Sequence, residues 1–128
     1  MEADLLGRFD AYLAQAGYRS RSEAMRDIAR EKLVAHEWEE TGDIAGALLF
    51  VYGHHRRNLA GRIMAIQHHH HDIIISTQHI HCDHHNCLEV VIVRGSAREI
   101  KKLHDAIRAL KGVTYAALAR ATTGKNPL

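Results

Sequence analysis

Cysteine is scarce in this sequence: Cys82 and Cys87 are the two among 128 residues. So few exclude a disulfide scaffold, and in a reducing compartment such residues serve as thiols or ligands. Long apolar runs are missing too. No stretch approaches the roughly 20 residues that span a bilayer. The start, MEADLLGRFD, lacks the basic segment, apolar core and small-residue cleavage site of a secretory signal, so the cytoplasm is the expected location. No nucleophile and base pair is evident, which argues against an enzyme. Disorder is excluded by composition, with 46% hydrophobic and 25% charged residues.

Histidine is what the chain has in abundance. Eight of the twelve histidines, and both cysteines, lie in the segment Gln67 to Leu88, QHHHHDIIISTQHIHCDHHNCL. Packing gives no reason to gather so many imidazoles in so short a stretch. Imidazole and thiolate are the ligands that borderline first-row divalent ions prefer, so the segment points to a metal site. An expression tag does not account for the tetrad, which lies inside the chain and runs into a strand.

The net charge of +2 conceals a gradient. Residues 1–40 carry six Lys or Arg against nine Asp or Glu, and residues 41–128 carry eleven against six. The N-terminal part is therefore no generic polyanion binder. From Asp4, the residues Leu5, Leu6, Phe9, Tyr12 and Leu13 recur at helical spacing, and Gly17 suits the helix end. Ser20-Arg21-Ser22-Glu23 reads as a capping box opening a second helix that runs to about Glu39. Two such helices cannot enclose a core alone, so dimerisation of this region is expected.

Thr41-Gly42-Asp43 marks the expected boundary. Beyond it the pattern predicts a strand over 47–52, a helix over 57–67, a strand over 72–82, a loop at 83–86, a strand over 87–94, a helix over 97–110 and a strand over 113–119. The order βαββαβ is the ferredoxin-like plan, an antiparallel sheet with both helices on one face. Its other face is open, so oligomerisation through the sheet is expected.

Strand alternation puts His79 and His81 on one face and Cys82 on the other, where it reads as a packing residue. The hairpin brings Cys87 back beside His81, so one hairpin supplies two nitrogens and one sulfur. A fourth ligand is expected from His68 to His71; spacing does not choose among them, nor between the same chain and a neighbour. Zn(II) in a tetrahedron and Ni(II) or Cu(II) in a square plane all remain open on this donor set. His54, His55, His84 and His85 read as solvated or secondary positions, and His36 and His104 as surface residues. Arg21 and Ser22, at the start of the second helix, and Arg56 and Arg57, at the junction of the first strand with the third helix, are candidate contacts to a nucleic-acid backbone.

The stretches YRSRSEAMRDIAR and RRNLAGRIMAIQHHHHDIIISTQHIHCDHHNCLEVVIVRG resemble the nickel-responsive regulator family, NikR, and the resemblance covers almost the whole chain. Its most specific element is QHHHHD followed by H-x-H-x5-C-L-E, here Gln67 to Asp72, then His79, His81, Cys87, Leu88 and Glu89. The resemblance implies Ni(II) in a square plane, held by His79, His81 and Cys87 of one subunit and His68 of another. Tyr52 would stand near the metal, and Glu89 would accept a hydrogen bond from a ligand imidazole. It also implies an α+β chain with ribbon-helix-helix-type helices over 1–40 and a ferredoxin-like, ACT-type domain over 41–128. The assembly would be a homotetramer, a dimer of dimers, acting as a repressor whose affinity for operator DNA rises with nickel. Glu23 and Asp27 match residues that help hold a potassium ion (K+) in the family.

One feature of the family has no counterpart here. Met1-Glu2-Ala3 is all that precedes the first helix, whereas the family begins with a strand that pairs with its twin and reads base edges. Three explanations stand: a start set too late or a truncated sequence, a variant that uses other contacts, or a chain that no longer binds DNA. The alternative function is accordingly a nickel-binding oligomeric module for metal buffering or mixed assembly.

Overall fold

The computed structural model describes residues 2–39, 42–53 and 55–123. The expected boundary residue Thr41 and the expected role of His54 lie outside the described residues. The chain divides into two compact units, the first ending at Ala35 and the second beginning at His36.

The first unit is helical. Helix α1 spans Ala3–Ala16 and stops where Gly17 takes φ 84°, a left-handed conformation that glycine adopts without strain. The amides of Gly17 and Tyr18 then return to the carbonyls of Ala14 and Leu13 at 3.3 and 2.9 Å, the double bond that closes a helix end. Helix α2 spans Arg21–Glu39 and crosses from the first unit into the second. Its Ser20 hydroxyl accepts from the Glu23 amide at 3.2 Å, as the capping-box pattern requires. The reciprocal bond from the Glu23 carboxylate is absent among the described residues.

The second unit holds strands β1 (Ile44–Gly53), β2 (Ile74–His81), β3 (Asn86–Gly95) and β4 (Val113–Ala121), with helices α3 (Leu59–His69) and α4 (Ala97–Arg108). The sheet order is β2-β3-β1-β4 and all three pairings are antiparallel, which is the ferredoxin-like topology. Strands β1, β3 and β4 run longer than the sequence suggested, and β2 is shorter because a 3-10 turn takes up His71–Ile73; β1 starts at Ile44, where the alternation of buried and half-buried residues already begins. Helix α3 starts later, at Leu59, after Asn58 adopts a left-handed φ of 63°. A single 3-10 turn, His71–Ile73, separates α3 from β2.

Burial explains which face the helices take. Ile44, Leu48 and Phe50 of β1, Val91 and Val93 of β3, and Ile100, Leu103 and Ile107 of α4 are almost completely buried. The three α4 residues fall at i, i+3 and i+7, one helical stripe laid on the sheet. Each such side chain contributes about 1.5–3 kcal/mol when fully buried. Ser96 fixes the start of α4, its hydroxyl accepting from the Glu99 amide at 3.2 Å. The opposite face of the sheet is apolar and open, with Ile80, Ile92 and Tyr115 at 41%, 40% and 58% exposure.

Trp38, on the last turn of α2, is buried and its indole N–H donates to the Ala121 carbonyl at 2.7 Å. It reaches β1 and β4 because Gly46 leaves room: a Cβ there would lie 2.7 Å from the Ala119 carbonyl oxygen and 3.0 Å from the Trp38 ring. We therefore expect Gly46→Ala to destabilise the chain by about 1–3 kcal/mol through overpacking. Gly61→Ala, in α3 with open space around it, should instead stabilise by roughly 0.5–1 kcal/mol. Thermal or urea unfolding of the two variants checks both signs.

Candidate metal centre

The site is built by the pairing of β2 with β3. His81 lies directly opposite Cys87, and His79 directly opposite Glu89. On the far side of β3, Cys87 pairs with Tyr52 and Glu89 with Phe50. All of these residues stand on the helix-covered face, in two neighbouring cross-strand rows. Since β2 is an edge strand, His79 and His81 project at the rim, where the helices no longer cover the sheet and both remain exposed.

Cys87 is buried, with its sulfur 3.5 Å from His81 Nδ1. The donor atoms of His79, His81 and Cys87 lie within 4.8 Å of one another, and this is the one such group of three or more among the described residues. Two imidazoles and a thiol in that space form a donor set suited to a late first-row divalent ion. Burial raises the Cys87 thiol above its ordinary range, with smaller contributions from Cys82, Glu89 and Asp83. Without a cation the sulfur thus keeps its proton, and a metal bound there would have to displace it.

Behind these donors is a hydrogen-bonded chain. Glu89 is buried and its Oε1 accepts from His79 Nδ1 at 3.2 Å and from the Tyr52 hydroxyl at 3.3 Å. The carboxylate favours a proton on His79 Nδ1, which leaves the Nε2 lone pair for a metal. Burial, then the charges of Glu89 and Cys87, push the Tyr52 hydroxyl far above its ordinary pKa, so it acts as a neutral donor. The other Glu89 oxygen accepts from the Gln67 side-chain amide at 2.7 Å. Gln67 lies in the last turn of α3, next to His68, and so ties that helix end to the carboxylate behind His79. Sequence reasoning quoted Gln67 within the motif without giving it a part. Its adjacency to the histidine run was the available signal.

The hairpin is held by Asp83, whose carboxylate accepts from the amides of His85 and Asn86 at 2.8 Å each. These bonds keep its acidity stronger than usual, and they fix the turn that returns the chain at Cys87. Two readings of minor residues are corrected here. Cys82 is exposed and not a packing residue, because β2 ends at His81 and Cys82 belongs to the turn. His104 is half-buried on α4 instead of a surface residue.

His68 does not join the three-ligand group. It lines a separate cleft with Met64, Gln67, His71 and Ile74, and its ring lies 5.9 Å from that of His71. His55 and His85 meet edge to face at 5.3 Å. Of the candidate DNA contacts, Arg21 is engaged by a fork to Asp10 at 2.9 and 2.8 Å, and Ser22 is exposed in the first turn of α2. Arg56 and Arg57 line a cleft with Arg62 and Lys111, a group of four cations of which the sequence reading named two. Among the potassium candidates, Asp27 accepts from the Tyr18 hydroxyl at 2.9 Å and lies 3.8 Å from Arg30, and Glu23 starts α2.

Fold and donors together define a class: a ferredoxin-like domain with an imidazole and thiol metal centre on its edge hairpin. Residues 45–121 match the NikR C-terminal nickel-binding domain family. The chain is 45% identical over 125 residues to a protein of Syntrophus aciditrophicus, covering 98% of this chain and 91% of the relative. It is 50% identical over 115 residues to one of Chlorobaculum tepidum, covering 90% and 86%. A third, of Nitratidesulfovibrio vulgaris, is 46% identical over 127 residues, covering 98% and 91%. All three carry the name nickel-responsive regulator. An uncharacterized protein of Thermotoga maritima, TM1266, shares the fold with a TM-score of 0.58 at 11% identity, over 63% of this chain and all of that one. The chain belongs to the nickel-responsive regulator family, a family of regulators and not of enzymes.

Two outcomes follow for the centre. Gln67→Leu and Glu89→Gln should each weaken Ni(II) binding by about 10- to 100-fold, the usual cost of losing a partner behind a ligand, with the fold retained. Competition with a chelator measures it. Binding should also release about one proton from Cys87 at neutral pH and weaken as the pH falls. Calorimetry in buffers of different ionisation enthalpy counts that proton, and Cys87→Ser should abolish its release.

Proposed function

We propose that the protein is a nickel sensor and transcriptional repressor in which Ni(II) is held by His79, His81 and Cys87 of one subunit and by His68 of another. The observation that carries this reading is the gathering of the three donors on one edge hairpin. The exposed rim supports a fourth donor from outside the chain, since a second copy has free access to it. Nickel, with these four ligands in a plane, would then act as an assembly cofactor as well as a signal.

Family membership supports nickel over zinc or copper. The open sheet face, with Ile80, Ile92 and Tyr115 exposed, supports assembly of the second unit, here read as a tetramer of two dimers. Residues 1–40 are read as the dimerising DNA-binding part and residues 41–128 as the nickel-binding part. Arg56 and Arg57, reinforced by Arg62 and Lys111, would hold DNA phosphates without reading sequence. Arg21 and Ser22 would join them at the start of α2, Arg21 by exchanging Asp10 for a phosphate. Glu23 and Asp27 would hold K+, Asp27 by giving up its bond to Tyr18.

Regulation is linkage: nickel binds the DNA-competent assembly better, so nickel and operator each raise affinity for the other. The chain's own residues supply this by reach. Gln67 joins the α3 end that bears His68 to the carboxylate that orients His79. A metal that drew His68 to a neighbouring hairpin would therefore bias α3 and the cations at its other end.

The test is titration of labelled candidate operator and random DNA at matched salt, with one Ni(II) per subunit and with none. Tightening by tenfold or more on the operator alone, about 1.4 kcal/mol or more of coupling, is the expected result. Equal affinity with and without nickel overturns the repressor reading. Tight nickel binding with no DNA binding leaves the metal-binding module as the function.

A further inference from the structure

A cleft of about 930 Å3 opens between α4, β4 and the last turn of α2, and it shares no residue with the metal centre. That volume falls within the range of small-molecule sites, about 300–1,000 Å3. Its walls carry Arg98, Lys101, Arg108 and Arg120 against Glu39 and Asp105. Arg108 is paired with Asp105 at 3.3 Å. Arg98, Lys101 and Arg120 make no ion pair among the described residues. The Arg120 guanidinium is laid over the Trp38 ring at 5.7 Å, a stacking that holds its planar fork in one orientation.

Independently of these charges, Nδ1 of His104, a residue on the same wall, is a buried polar atom with no hydrogen-bond partner among the described residues. Such atoms are uncommon in folded proteins, where a ligand or water ordinarily completes them. Burial and the nearby Arg108 favour the neutral imidazole, which can donate or accept a hydrogen bond. Ser96, Ala97 and Arg98 bring the start of α4 to the cleft, where the amides ahead of the capped one have no partner within the helix. Trp38 and Leu118 add apolar wall.

We infer that this cleft is a binding site for a small organic anion, with its phosphate or carboxylate head held by Arg98, Lys101, Arg120 and the start of α4. The oxyanion takes charge-assisted bonds from the two guanidinium groups, and the body of the ligand lies toward Trp38, Leu118 and His104. A duplex backbone is the other occupant these cations could hold, and the test separates the two. Bound there, the anion would bridge α2 to α4 and β4, giving the regulator a second input besides metal.

Trp38 is the single tryptophan of the chain, so its emission reports on the cleft. The full metal-free chain is titrated with inorganic phosphate, with citrate, with a short random DNA duplex and with sodium chloride at matched ionic strength. A saturable change with phosphate or citrate, absent with chloride, is expected, and whichever anion saturates identifies the head group. R98Q/K101Q should weaken it at least about tenfold while nickel affinity stays unchanged. Lys101→Gln alone, an exposed position on α4, serves if the double variant does not fold. A change that follows ionic strength, one given by duplex DNA alone, or an affinity that survives both substitutions overturns the inference.

Discussion

The register between β2 and β3 is the constraint on which the rest depends. Side chains alternate with a period of two along a strand, so a slip of one residue would turn His79 and His81 to the opposite face and leave Cys87 alone. Three things prevent that slip. Val91 and Val93 must face α4, Leu48 and Phe50 beside them fix β1 in the same phase, and Asp83 sets the hairpin turn. The candidate metal donors thus inherit their positions from the hydrophobic core. Their own interactions are weak by comparison: a 3.5 Å contact between thiol and imidazole adds little to folding.

The same register gives Glu89 its unusual place. A carboxylate buried on the helix side of a sheet is costly unless its oxygens are satisfied. Here Gln67, Tyr52 and His79 satisfy it from three different elements. The carboxylate is therefore a junction between α3, β1 and the edge strand. In the proposed reading, a ligand that alters His79 would act on α3 through it, giving a site on a sheet rim leverage over a helix without a long-range rearrangement.

Much of this was legible in the residues. The βαββαβ order follows from hydrophobic alternation and the turn residues, and the donor triad from His79, His81 and Cys87 on one hairpin. The capping bond at Ser20 and the helix end at Gly17 follow from local chemistry. What stayed hidden depends on distance in space. The bond from Gln67 to Glu89 joins residues 22 apart in sequence, and the orphaned Nδ1 of His104 is a matter of burial, which a helical position does not reveal. Cys82 misled because strand parity was carried one residue past the end of β2. His68 is a different case: its partner ligands, by the reading offered here, belong to another copy of the chain.

The measurement that bears most directly on the central claim is X-ray absorption at the nickel edge of the full chain loaded with one Ni(II) per subunit, repeated for Cys87→Ser and His68→Ala. The account predicts a four-coordinate planar nickel with one sulfur and three imidazole nitrogens, the sulfur lost in the first variant and one imidazole in the second. A six-coordinate nickel without sulfur, unchanged by either substitution, would contradict it.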